Sequence, residues 1–214
     1  MTRKGHAKMS DAQFRSALAH RAEAKGAEGL SISVKEITDR GMIDLRGLAD
    51  DASFMAKAKE VLGVDLPTKP RSVAQAGDIV IWWLSIDQWL VFCMRDHAAA
   101  LAAKLASALA DVHALAVDVS DMRSIFRLEG DHARVVMNKG TSVDFTDGSM
   151  PAGTVRRLRY AEIAAAAHVV SDAPCVIDMV MFRSYAEYTW SYLTRTAAKP
   201  TEVQLFGAQI GISV

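Results

Sequence analysis

The chain has 214 residues; half are apolar, 23% are charged and 7% are aromatic, and Lys+Arg and Asp+Glu each total 25, giving zero formal net charge. This apolar content excludes a mainly disordered protein, which would lack the burial needed to offset chain entropy, and the length suits one large domain or two small lobes. Neutrality argues against broad binding to nucleic acid or acidic membranes, no apolar run approaches the roughly 20 residues that span a bilayer, and two cysteines, Cys93 and Cys175, are too few for a disulfide framework. The start of the chain carries no apolar h-region, so the expected compartment is the cytoplasm. Neutrality also gives little colloidal protection, a hint of life inside a larger assembly.

Residues 1–30 read as an N-terminal arm rich in Lys and Arg, where Ser10 is placed to cap a short helix carrying Phe14 and Leu18, stopped by Gly26 and Gly29. Either the arm is a solvated terminus, or Phe14 and Leu18 dock it onto a partner. Ser31–Ile37 and Met42–Leu45 read as strands, and Asp50–Leu62 as a helix closed by Gly63. Pro67 and Pro70 mark a loop. Asp78–Leu84 and Trp89–Met94 read as a hairpin, Asp96–Ala110 as an Ala/Leu-rich helix, and Ala114–Val119 as a strand. The grammar then repeats. Arg123–Leu128 reads as a strand, Asp131–Asn138 as a helix, Val155–Ala167 as one or two strands, Val176–Phe182 as a strand and Ser184–Ala198 as an aromatic-rich helix.

The repetition has marks of its own. Leu45-Arg46-Gly47 aligns with Leu128-Glu129-Gly130, Ala76-Gly77 with Ala152-Gly153, and Leu101/Leu105 with Tyr188/Tyr192. The expected fold class is α+β, built as two related α+β lobes from an internal duplication. The lobes are set at 31–119 and 120–199, with a C-terminal tail at 200–214 whose apolar patch is Val203–Phe206.

Chemistry is sparse. No phosphate-binding glycine loop precedes a helix, and the six histidines are scattered without metal-ligand spacing. Cys93 and Cys175 have apolar neighbours and read as buried small hydrophobes. Asp118 and Asp121 flank a turn and read as caps. Asp144, between Val143 and Phe145, belongs at the surface or against a cation. No catalytic, cofactor-binding or metal-binding residue is assigned. The aromatics stand out instead. Adjacent strand residues face opposite ways, so one of Trp82 and Trp83 is expected to leave the core and serve as an interface anchor. Tyr185, Tyr188, Trp190 and Tyr192 pose the same question on a helix. The candidate interface set is Phe14, Leu18, Trp82, Trp83, Arg183, Tyr185 and Trp190.

A run of short motifs, in order, carries a resemblance. Val135-Val136-Met137-Asn138-Lys139-Gly140, Val143-Asp144-Phe145, Pro151-Ala152-Gly153-Thr154 and Phe182-Arg183-Ser184-Tyr185-Ala186, with Trp190, resemble the gamma subunit of bacterial heterotetrameric sarcosine oxidase. Leu45-Arg46-Gly47, Leu62-Gly63-Val64-Asp65-Leu66-Pro67 and Asp87-Gln88-Trp89-Leu90 extend the likeness to the first half. Thr141, Ser142 and Gln88 depart from the family's usual Cys, Pro and Glu. The resemblance implies a fold like the glycine-cleavage aminomethyltransferase. It implies alpha, beta and delta partner chains in a flavoenzyme complex that demethylates sarcosine oxidatively, yielding glycine, hydrogen peroxide and methylenetetrahydrofolate. It places FAD, FMN, NAD and zinc on those other chains, with no cofactor on this chain alone. A related implication is the matching subunit of an N-methylglutamate dehydrogenase-type complex. The rival reading is a stand-alone folate-binding protein or enzyme of the same fold, for which Asp144 and Arg183 are the candidates. Arg183 itself is expected to pair with Asp144, pair with another acid, or contact a neighbouring subunit.

Overall fold

The computed structural model describes residues 14–21 and 32–198. The Ser10 cap, the Gly26/Gly29 stop and the tail at 200–214 lie outside them. Among the described residues the chain forms ten strands and four α-helices: β1 (Ser33–Ile37), β2 (Arg40–Arg46), α1 (Ala52–Leu62), β3 (Val73–Ala76), β4 (Ile79–Ser85), β5 (Gln88–Met94), α2 (Ala98–Ala108), β6 (Leu115–Asp118), β7 (Arg123–Glu129), α3 (Ala133–Asn138), β8 (Val155–Tyr160), β9 (Ile163–Asp172), β10 (Cys175–Phe182) and α4 (Ala186–Ala197). They build two antiparallel five-stranded sheets, ordered β3-β4-β5-β2-β6 and β1-β7-β10-β9-β8.

Period-2 alternation along the strands explains the layering. In the first sheet Ile43, Leu45, Ile81, Trp89 and Val91 point to one face, where Phe54, Ala58 and Leu62 of α1 and Ala102 and Leu105 of α2 cover them. Their neighbours Met42, Trp82, Leu90 and Phe92 point the other way and meet Ile125, Val155, Ala166 and Val180 of the second sheet. The second sheet buries its outer face beneath α3 and α4, with Trp190 and Leu193 in that core. The result is a helix–sheet–sheet–helix stack. Both faces of β4 and β5 are covered, which is why these strands read as continuous apolar runs.

The expected α+β class with two similar halves agrees with this arrangement. β2-α1-β3-β4-β5-α2 is followed by β7-α3-β8-β9-β10-α4, and each five-strand order matches the other position by position. One strand pairs across the expected 31–119 and 120–199 division. β1 lies along β7, pairing Ser33 with Glu129 and Ile37 with Ile125. β6 lies along β2, pairing Ile43 with Asp118 and Arg46 with Leu115. The first half thus supplies an edge strand to the second sheet, while β6 is the matching edge strand of the first.

Local signals set the boundaries. Asp51 caps α1 by accepting from the Ser53 and Phe54 amides, and Gly63 closes it in the left-handed region (φ 74°) that glycine enters without a Cβ penalty. Gly140 answers a different need: a Cβ there would collide with the Tyr160 ring. Val155–Ala167, expected as one or two strands, resolves into β8 and β9. The short β3 was not expected from its flanking prolines and glycine. The Ala76-Gly77/Ala152-Gly153 alignment fails, because Gly77 turns β3 into β4 whereas Gly153 precedes β8. The true counterparts follow from register: β5 and β10 correspond at an offset of 88 residues, as do the starts of α2 and α4.

Candidate functional site

The corner where β10 runs into α4 gathers exposed apolar side chains around arginines. After Phe182 the chain makes a 3-10 turn over Arg183–Tyr185, and the Arg183 amide donates to the Met122 carbonyl at 2.8 Å. Met122, Phe182 and Tyr185 are all exposed there. The Arg123 guanidinium sits 5.0 Å from the Phe182 ring centroid. The segment 14–21 crosses this corner. Arg183 donates to the Arg15 carbonyl, and Phe14, 44% exposed, has the Arg95 guanidinium 3.3 Å and the Arg183 guanidinium 5.9 Å from its ring centroid. Arg95 and Arg183 are equivalent in the two halves: the Arg95 amide donates to Asp39 as that of Arg183 donates to Met122. Phe14 thus lies between two related arginines, held by cation–π contact.

The space between the sheets holds a second gathering, a cavity of about 130 Å3 with Val80, Phe92 and Ile125 on its apolar side. Its polar side is a row of three residues on adjacent strands, because Asp178 of β10 stands opposite both Arg127 of β7 and His168 of β9. Arg127 donates through Nε and Nη2 to the two Asp178 carboxylate oxygens, both at 2.7 Å. The Asp178 bond holds the Arg127 guanidinium above its ordinary range against the opposing effect of burial. Burial pushes the His168 imidazole down to about 4, outweighing the Asp178 charge that acts the other way. The ring is neutral at pH 7 and stands edge-on to Trp82, 5.4 Å between centroids.

Neither gathering presents an activated nucleophile. Burial pushes both thiols, Cys93 and Cys175, above their ordinary range, which keeps them protonated and unreactive at neutral pH. Among the described residues no three His, Cys, Asp or Glu side chains come together in a way that could hold a metal ion, and no helix is long and apolar enough to cross a membrane.

Comparison with known proteins settles the family. The model of the sarcosine oxidase gamma subunit family matches residues 46–199. The chain belongs to that family. It is 31% identical over 133 residues to the sarcosine oxidase subunit gamma of Corynebacterium sp. (strain P-1) and 29% identical over 133 residues to that of Arthrobacter sp.. Each match covers 61% of this chain, and the chain spans 64% of the length of these relatives. Among solved structures, a chain of the heterotetrameric sarcosine oxidase from Corynebacterium sp. U-96 superposes with a TM-score of 0.79 at 22% identity, covering 90% of this chain and 98% of that one. The glycine cleavage system aminomethyltransferase T from Bartonella henselae matches with a TM-score of 0.56 at 13% identity, covering 75% and 44%. Both likenesses show the fold, and the second agrees with the aminomethyltransferase-like architecture expected from the sequence.

For a gamma-family chain the candidate interface residues fall into three groups: corner, core and, for Trp83, a half-buried place on the helix side. Phe14, Arg183 and Tyr185 meet at the corner just described. Leu18, Trp82 and Trp190 are 1%, 2% and 2% exposed, buried in this chain's own core and unavailable as partner anchors. Leu18 docks inward, in the core that also holds Trp190, and Arg21 beside it donates to Glu187 at 2.7 Å. Trp82 and Trp83 do face opposite ways, but both faces are covered: Trp82 lies between the sheets and half-buried Trp83 packs on the helix side. The expectation failed because it counted one core where the fold has three.

The folate candidates also part company. Asp144 accepts from the Thr146 amide, the Thr146 hydroxyl and the Ser149 hydroxyl, a closed turn whose bonds, Ser149 foremost, hold its carboxyl below the usual range. Arg183 instead engages Phe14 and Arg15. The sequence reading missed Arg95, Met122 and Phe182 as corner residues. The signal was present in the repeat, where Met94-Arg95 and Phe182-Arg183 stand 88 residues apart at the same strand-to-helix junction.

Proposed function

We propose that this gamma-family chain is a structural subunit of a heterotetrameric sarcosine oxidase complex, assembling with alpha, beta and delta chains. In this reading the reacting groups, the flavins, NAD and zinc belong to those other subunits, and the complex demethylates sarcosine oxidatively. The observation that carries the assembly claim is the corner of Phe14, Met122, Phe182 and Tyr185 laced with Arg95 and Arg183. Aromatics, Met and Arg are the residues enriched at protein interfaces, while Lys and Glu are depleted. The family match and the likeness to a heterotetrameric sarcosine oxidase chain support the same reading.

The test is gentle purification of the tagged chain from its native host, read by visible spectrum and subunit gel. A yellow eluate with larger co-purifying chains is expected; a colourless, monodisperse monomer would sink the proposal. Tyr185→Glu then locates the contact. It should cut recovery of the larger chains at least about tenfold, the scale of a charge buried at an interface core, without changing the melting temperature of the isolated chain. Full recovery would move the interface elsewhere on the surface.

A further inference from the structure

The inter-sheet cavity beside His168 has a counterpart generated by the repeat. Arg40 and Arg123 open β2 and β7, the equivalent strands, and ladder register makes Gln75 of β3 equivalent to Arg157 of β8. In the first cavity the lining arginines Arg40 and Arg127 are accompanied by a carboxylate, Asp178. The counterpart, about 90 Å3, is lined by Arg123, Arg157, Gln88, Phe182 and Leu84, with an alanine wall at 164–166. Its lining has two cations and no carboxylate.

Arg123 is under-satisfied where it stands. Its Nε is buried without a hydrogen-bond partner, and burial lowers the guanidinium from its ordinary range, with Arg157 pushing the same way. Asp44 opposes that shift from outside the lining, but its carboxylate already accepts two bonds from the Gln88 amide, at 2.9 and 3.0 Å. Among the described residues neither Arg123 nor Arg157 forms a salt bridge. A buried donor left unmade costs more than a typical hydrogen bond returns, and two guanidiniums sharing one cleft repel each other. One oxyanion between them answers both demands, since guanidinium matches carboxylate and phosphate geometry. The volume is several times the roughly 10–15 Å3 that a single ordered water requires.

We propose that the cleft between Arg123 and Arg157 is an oxyanion-binding site, taking a phosphate or carboxylate group against the Phe182 and alanine wall. The site shares the Phe182 side chain with the docking corner but does not rest on that reading, and the titration of the isolated chain tests it apart from assembly.

The test follows the Arg123 Nε–H NMR signal of the full chain during titration with inorganic phosphate and, separately, with acetate. A saturable shift is expected. Phosphate saturating first assigns a phosphate source for the natural ligand; acetate saturating first assigns a carboxylate. Arg157→Gln, at an exposed position that leaves the core intact, should weaken binding about tenfold, the scale of one charge-assisted bond. Arg159→Gln is the control, because Arg159 lies on the same strand but is occupied by Glu162 at 2.5 Å. Shifts that never saturate with either anion overturn the proposal. So does an Arg159→Gln loss equal to that of Arg157→Gln, which would report general charge screening, or an Arg157→Gln chain that binds unchanged.

Discussion

The two halves share one frame and differ in what they put on it. At the inner face of the sheets, Asp44, Trp82 and Leu90 of the first half occupy the places of Arg127, His168 and Asp178 in the second. One half presents a carboxylate, an aromatic and an aliphatic side chain; the other presents an unbroken polar row. At the strand-to-helix corner the contrast reverses. The first half offers Asp39, Met94, Arg95 and His97, whereas the second offers Met122, Phe182, Arg183 and Tyr185, so the exchange lies at Asp39/Met122 and His97/Tyr185. The frame therefore tolerates inversion of polarity at equivalent positions, because topology and register, not side-chain identity, keep the layers aligned. What each half can do is set by these exchanges.

The comparison is broken most forcefully on α4. Trp190 is buried beneath the second sheet, where the equivalent residue of α2 is Ala102. Trp190→Ala copies the first half and should cost about 3–5 kcal/mol, measured by chemical denaturation; a cost below about 1 kcal/mol would mean that the second core closes over the gap.

Acidification tests the polar row. The native His168 ring stays neutral until about pH 4, whereas the unfolded chain takes up the proton near 6.5. Its contribution is complete above pH 6.5 and is lost as pH falls through that window. By pH 4.5 the loss should reach about 2–3 kcal/mol. Replacing the ring with a group that does not titrate, His168→Gln, should flatten the decline by that amount; parallel pH curves for the two proteins would contradict it.

Arg127→Met leaves Asp178 without its bidentate partner. Both side chains are part-exposed, so the cost is discounted to about 1–2 kcal/mol. Adding Asp178→Leu, which copies Leu90, should recover most of it in a double-mutant cycle. The smallest effect sits at a helix start. Asp51→Ala removes the side-chain cap of α1 and should cost about 1 kcal/mol in thermal melts, while α3 has no side-chain cap bond to lose.

Much of this was legible in the sequence because the strands are apolar and well punctuated. The hairpin of β4 and β5, the Gly63 stop and the Arg123 and Val176 strand starts came from alternation and glycine placement. The alanines of β9 obscured a ten-residue strand, since alanine has weak strand preference of its own; here neighbouring strands on both sides supply the pairing. Leu18 was invisible as a core residue because two apolar positions cannot hold a segment down. What holds it is a core supplied mostly by residues 126–197. The corner and the cavities were hidden for the same reason: Phe14, Arg95, Met122 and Arg183 meet only after the ladder is closed.

The placement of β1 on β7 has a mechanical consequence. A chain nicked between Ser120 and Met122 should not come apart into two domains, because the front piece still grips the back one through β1 on β7. The back piece alone would carry the bare backbone edge of β7 and would recruit any strand able to replace the missing one, a second front piece included. Between its halves the molecule has a clasp where a two-domain protein would have a hinge. Load applied at one end should reach the other without a pivot.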